Sequence, residues 1–173
     1  ADPIKAIELM IGVARAVHHA HQRGILHRDL KPANVMIDGR GQLRITDFGL
    51  AVLSQQSTKD IAGTPAYMSP EQALGLALDC RTDLYSLGVV LYELLSGKLV
   101  HRTGDVTSAL ERVRAGSLPP LAEVAPDVPA PLAAVVTRAL QREPADRWAS
   151  AREMQSALAR FLHRADPVVD DEV

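Results

Sequence analysis

Three side chains with hard oxygen donors stand close together along the chain at points where it turns: Asp29, Asn34 and Asp47. Such donors suit Mg²⁺, which keeps part of its water shell and takes one or two protein carboxylates together with phosphate oxygens. Lys31, two residues after Asp29, sets an ammonium beside that carboxylate. The pair can neutralise a transferring phosphoryl group while Asp29 accepts a hydroxyl proton. These residues point to Mg²⁺-assisted chemistry on phosphate, with metal-dependent hydrolysis and phosphoryl transfer both open on the donors alone.

Order and spacing narrow the choice. His27-Arg28-Asp29-Leu30-Lys31-Pro32-Ala33-Asn34 is followed by Asp47-Phe48-Gly49 and then by Ser69-Pro70-Glu71. The sequence closely resembles the C-terminal lobe of bacterial-type (Hanks-type) Ser/Thr protein kinases, over essentially all of residues 3–163. A hydrolase would leave Arg28, Lys31, Phe48-Gly49 and Pro70-Glu71 without a reason. The resemblance implies ATP and Mg²⁺ as cofactors and proteins bearing Ser or Thr as substrates. It implies Asp29 as catalytic base, Asn34 and Asp47 as metal ligands, and Lys31 on the γ-phosphate. Lys31 and Thr64, in Gly63-Thr64-Pro65-Ala66-Tyr67, both imply Ser/Thr specificity, Thr64 by shaping the pocket next to the phosphoacceptor. Met36 matches the apolar floor beneath the adenine, although a plain core role fits it as well.

Further roles follow from the same likeness. Arg28 directly before the base implies an activation segment ordered by a phosphate, with Ser57 and Thr58 as candidate phosphosites and Asp60 able to supply part of the charge. An unmodified polar loop is the plainer alternative. Asp83 is implied as the acceptor that fixes the His27-Arg28 turn. Glu71 and Arg147 are implied as a buried ion pair. His18 and His21 share a helix face, but no carboxylate or thiol joins them at ligand spacing, and His21 is expected to pack.

The elements that must position these residues are mostly helical. Asp2-Pro3 reads as an N-cap with Pro at the first helical position. Ile4, Ile7, Ile11, Ala14, Val17 and His21 recur at helical spacing over 3–22, with Gly24 as the stop. Val35-Met36-Ile37 and Leu43-Arg44-Ile45, separated by Asp38-Gly39-Arg40-Gly41, predict a hairpin. Residues 50–70 read as a long loop. Thr82 or Asp83 can cap a central helix through Leu95, closed by Gly97, and residues 105–115 predict a shorter one. Gly116 to Pro131, with five prolines, reads as a connector without helix. Pro131 opens another helix, and Ser150-Ala151-Arg152-Glu153 is a capping-box pattern for the last. The expected fold is mainly α: a protein-kinase-like C-lobe over residues 1–164 with a small β-hairpin beside the catalytic loop. Residues 165–173 are expected to form an acidic tail or linker.

Composition restricts the rest. Nineteen Lys plus Arg against 21 Asp plus Glu, with 3 % aromatic residues, argue against nucleic acid or an anionic membrane as partner. A single cysteine, Cys80, fits a reducing, cytoplasmic setting and a small half-buried side chain. The longest apolar stretch, Leu87 to Leu95, is broken by Glu93, so no membrane span is expected here, while a membrane anchor after the tail remains open. The only glycines before His27 are Gly12 and Gly24, and the only lysine is Lys5, at a helix start. Neither can supply the glycine-rich loop or the strand lysine that grip nucleotide phosphates in kinases. The stretch is therefore expected to be silent by itself and to need an N-lobe as partner. The alternative is a non-catalytic C-lobe binding or scaffold module, with self-association through the apolar patch around Met36 and Phe48.

Overall fold

The computed structural model describes residues 2–48, 64–100, 106–116 and 118–165. Helix α1 (Pro3–His21) begins where the Asp2 side chain accepts the Ile4 N–H at 3.1 Å, a bond that satisfies one of the donors left over at a helix start. Its inner face is Ala6, Ile7, Met10, Val13, Ala14, Val17 and Ala20. Ile4, expected on that face, lies outside the stripe and is 50 % exposed. Gly24 takes φ +73° just after the helix, a conformation that glycine adopts without a Cβ penalty.

A hairpin follows. Strands β1 (Val35–Ile37) and β2 (Leu43–Ile45) pair antiparallel in the register Val35↔Ile45, Met36↔Arg44, Ile37↔Leu43. The Asp38 side chain accepts the N–H groups of Arg40 and Gln42 across the turn, and those bonds hold its carboxyl below the ordinary range.

Among the described residues there are seven α-helices, and five of them contribute to the main core. The short α2 (Pro70–Ala73) comes first and is capped by Ser69 and Gln72 in a reciprocal box. Then α3 (Cys80–Ser96) runs through the centre, buried without interruption from Thr82 to Tyr92. Its cap is Asp79, which accepts the Arg81 N–H at 2.8 Å, not Thr82 or Asp83 as the sequence suggested. Those two sit in the first turn because their side chains are taken by tertiary partners. Gly97 ends α3 at φ +68°. Helices α4 (Val106–Ala115), α5 (Leu121–Val124), α6 (Ala130–Ala139) and α7 (Ala151–Ala165) follow. The turn α5 corrects the expectation of a helix-free connector: Pro120 precedes it, and proline is tolerated at a helix start, where its missing N–H has no intrahelical role.

Helix α1 packs on α3 and α7, and α3 packs on α6. At that last crossing a Cβ on Gly88 would lie 2.8 Å from the Ala139 Cβ, so glycine permits the approach. Ser150 accepts the Glu153 N–H at 3.2 Å, while the Glu153 carboxylate reaches the Ala149 N–H instead of closing the box on Ser150. A second small core of Met68, Ala73 and Val113 joins α4 to α2. Cys80 is half-buried, and burial raises its thiol pKa. Among the described residues no helix is long and apolar enough to cross a membrane.

Candidate active site

The turn after α1 is held from behind by one carboxylate. Asp83, fully buried, accepts the His27 N–H on Oδ2 and the Arg28 N–H on Oδ1, each at 2.9 Å. Its Oδ2 also meets His21 Nε2 at 2.6 Å. Two backbone donors aimed at one carboxylate specify the turn, and this offsets the strain of Arg28, a non-glycine residue at φ +71°. His27 extends the frame. Its Nδ1 accepts the Asp29 N–H at 3.1 Å, which leaves Nε2 to donate to the Thr46 carbonyl at 2.7 Å. The imidazole therefore bridges the loop to the end of β2, and its ring meets Phe48 edge-on at 4.6 Å between centroids.

Asp29 is fixed through its backbone and left partly open at its carboxylate, which is 26 % exposed. Its carbonyl accepts Asn34 Nδ2 at 2.8 Å. On the side chain, Oδ1 accepts the Thr64 N–H at 3.0 Å and Oδ2 lies 3.4 Å from Lys31 Nζ. Lys31 in turn donates to Thr64 Oγ1 at 2.6 Å. Asp29, Lys31 and Thr64 thus form a closed triangle across 35 residues of sequence.

Asn34 and Asp47 lie at one end of the hairpin, where the Thr46 N–H donates to the Asn34 carbonyl at 2.9 Å. Because the Asn34 amide nitrogen is committed to Asp29, its Oδ1 points elsewhere and has no partner among the described residues. Asp47 is exposed, takes φ +61°, and its carboxylate has no described partner either. Two unspent hard oxygens beside a phosphate-compatible lysine fit Mg²⁺. Met36 is 56 % exposed and Ile37 64 % on the same hairpin, so Met36 is no core residue.

Behind the site, Glu71 and Arg147 form a bidentate pair at 2.6 and 2.7 Å. The other guanidinium hydrogens reach the carbonyls of Gln141, Arg81 and Arg142, and Thr82 Oγ1 donates to Glu71 at 2.8 Å. Burial would raise the Glu71 pKa, but the bonds and charge of Arg147 outweigh it and hold the carboxyl below its ordinary 4.5. Arg147 also stands 4.9 Å over Tyr85, whose phenol burial pushes up to about 12. Tyr67 donates to Glu93 at 2.8 Å, and burial followed by that carboxylate raises its pKa.

The chain matches the protein kinase domain family over residues 2–159. The chain belongs to the protein kinase family. It is 42 % identical over 173 residues to the serine/threonine-protein kinase PknB of Mycobacterium tuberculosis, across 95 % of this chain and 27 % of that protein. PknB of Mycobacterium leprae is 40 % identical, with 95 % and 27 % covered. A protein of Clostridium acetobutylicum named as a probable serine/threonine-protein kinase is 37 % identical, with 97 % and 26 % covered. The chain thus spans about a quarter of the length of these bacterial relatives.

Within this kinase-family chain the structure brings Asp29, Lys31, Asn34 and Thr64 into direct contact and sets Asp47 at the adjoining hairpin end. Ser57 and Thr58, with Asp60, lie outside the described residues. Arg28 Nε and Nη1 are buried and have no partner among the described residues. The sequence did not disclose that Gln72 Nε2 donates to the Arg28 carbonyl at 2.6 Å, nor that His21 bonds Asp83. The Ser69-to-Gln72 spacing marks Gln72 as a cap, and nothing local marks its second contact. His21 gives no local sign of its partner.

Proposed function

We propose that this chain is the substrate and metal side of a serine/threonine kinase that moves the γ-phosphoryl group of ATP to protein hydroxyls. The observation that carries the reading is the Asp29-Lys31-Thr64 triangle with Asn34 bonded into it. Asp29 takes the proton from the incoming hydroxyl, since its carboxylate is held by the Thr64 N–H and remains open to solvent. Lys31 holds its ammonium between Asp29 and Thr64, ready to meet the γ-phosphate. Asn34 Oδ1 and Asp47 would hold Mg²⁺. The ion, when bound, supplies charge neutralisation on the nucleotide phosphates. Thr64 shapes the pocket for the accepting Ser or Thr, and Met36 presents an apolar surface to the adenine. Arg28 Nε and Nη1, which have no partner among the described residues, fit a phosphate on Ser57 or Thr58.

By itself the 173-residue stretch is proposed to be silent, because Lys5 stands on α1 and not on a strand facing Asp47. A second reading, a non-catalytic C-lobe that docks partners or pairs with itself, draws on the exposure of Met36 and Ile37. The test is transfer from Mg²⁺-ATP to a generic Ser/Thr protein by this chain beside an Asp29→Asn control, with and without an added kinase N-lobe. Transfer that needs the added lobe and Asp29 supports the kinase reading. Transfer by the chain alone, lost in the control, contradicts its silence. No transfer in either case, with sedimentation showing a dimer, favours the binding module.

A further inference from the structure

A groove of about 610 Å³ between α6 and α7 contains none of the candidate active-site residues. Its apolar side includes Pro131, Trp148 and Phe161, and it carries Arg138, Arg160 and Arg164. The Arg138 guanidinium sits 4.2 Å over the Trp148 ring. The indole N–H is already donated to the Val135 carbonyl at 3.1 Å, so the ring offers the groove apolar surface. Arg160 and Arg164 are exposed and have no ion-pair or hydrogen-bond partner among the described residues. An apolar trough edged by uncompensated guanidinium groups suits an extended segment that mixes carboxylates with small apolar side chains.

We infer that this groove docks residues 166–173 of the same chain. Helix α7 is described to Ala165, which itself lines the groove, so the segment that follows is tethered at the site. Pro167 has no N–H with which to continue the helical ladder. The segment reads Asp166-Pro167-Val168-Val169-Asp170-Asp171-Glu172-Val173, placing four carboxylates against three guanidinium groups and valines against the apolar side. Eight residues reach about 26 Å when extended. The return from Ala165 to the level of Ala157, also in the groove wall, is about 12 Å along α7. Covalent attachment keeps the segment at high local concentration, so pairs that are weak one by one act together.

Trp148 is the sole tryptophan of the chain and reports on the groove. The experiment is acrylamide quenching of its fluorescence in the full 173-residue chain, in R160E/R164E and in D170K/D171K/E172K. All substituted positions lie on the exposed helix face or beyond the last helix, and circular dichroism checks that the fold is kept. Docking predicts that Trp148 is shielded in the unaltered chain and that shielding is lost in each charge variant. Shielding should also fall at about 1 M salt, where charges are screened beyond about 3 Å, and return when both charge reversals are combined. Equal quenching in all four chains would overturn the inference. So would shielding that rises with protein concentration, which would seat a second copy in the groove.

Discussion

Asp83 braces from behind the turn that carries Asp29, and the two carboxylates have opposite surroundings. Asp83 is fully buried and takes two backbone N–H groups and His21. Asp29 is 26 % exposed at its side chain and shares one N–H and a lysine with Thr64. The same division separates Glu71, bound twice by a fully satisfied Arg147, from Asp47, which has no described partner. Charges behind the loop are saturated and fix geometry. Charges in front keep spare valence, which a metal ion, a phosphate or a substrate hydroxyl can use. A carboxylate serves as scaffold or as reagent according to how many of its lone pairs the fold has already taken.

The difference can be broken most severely from the scaffold side. Arg147→Met leaves Glu71 buried without its counter-charge and should cost about 3–5 kcal/mol in urea unfolding. His21→Ala, which removes one partner of the buried Asp83 carboxylate, should cost about 1.5–3 kcal/mol by the same measurement. Gly88→Ala forces a methyl against Ala139 and should cost about 1–3 kcal/mol, with no direct effect on Asp29.

Acid should sharpen the contrast further. The folded Glu71 carboxyl titrates below its ordinary 4.5, so its contribution is present above that value and is lost as pH falls through the lower, folded pKa. Unfolding measured between about pH 6 and pH 2 should show that loss. In Glu71→Gln the part of the slope due to this group should vanish.

Much of this division was legible in sequence. The hairpin follows from two β-prone runs around Asp38-Gly39-Arg40-Gly41, and the linear motifs single out Asp29, Lys31, Asn34 and Asp47 for chemistry. Local patterns failed where tertiary partners intervened. The cap of α3 moved to Asp79 because Thr82 and Asp83 serve Glu71 and the His27-Arg28 turn. The bonds from His21 to Asp83 and from Gln72 to Arg28 span 62 and 44 residues, and no periodicity encodes them. The α5 turn was hidden because prolines that forbid a helix interior are compatible with a helix start.

The central claim is that Asp29 serves chemistry and not the fold, and one variant tests it. In an intact kinase containing this stretch, phosphate transfer by Asp29→Asn should fall by about 10²–10⁴-fold, while stability changes by at most about 1 kcal/mol. Transfer at the unaltered rate, or a loss that merely follows a collapse in stability, would contradict the account.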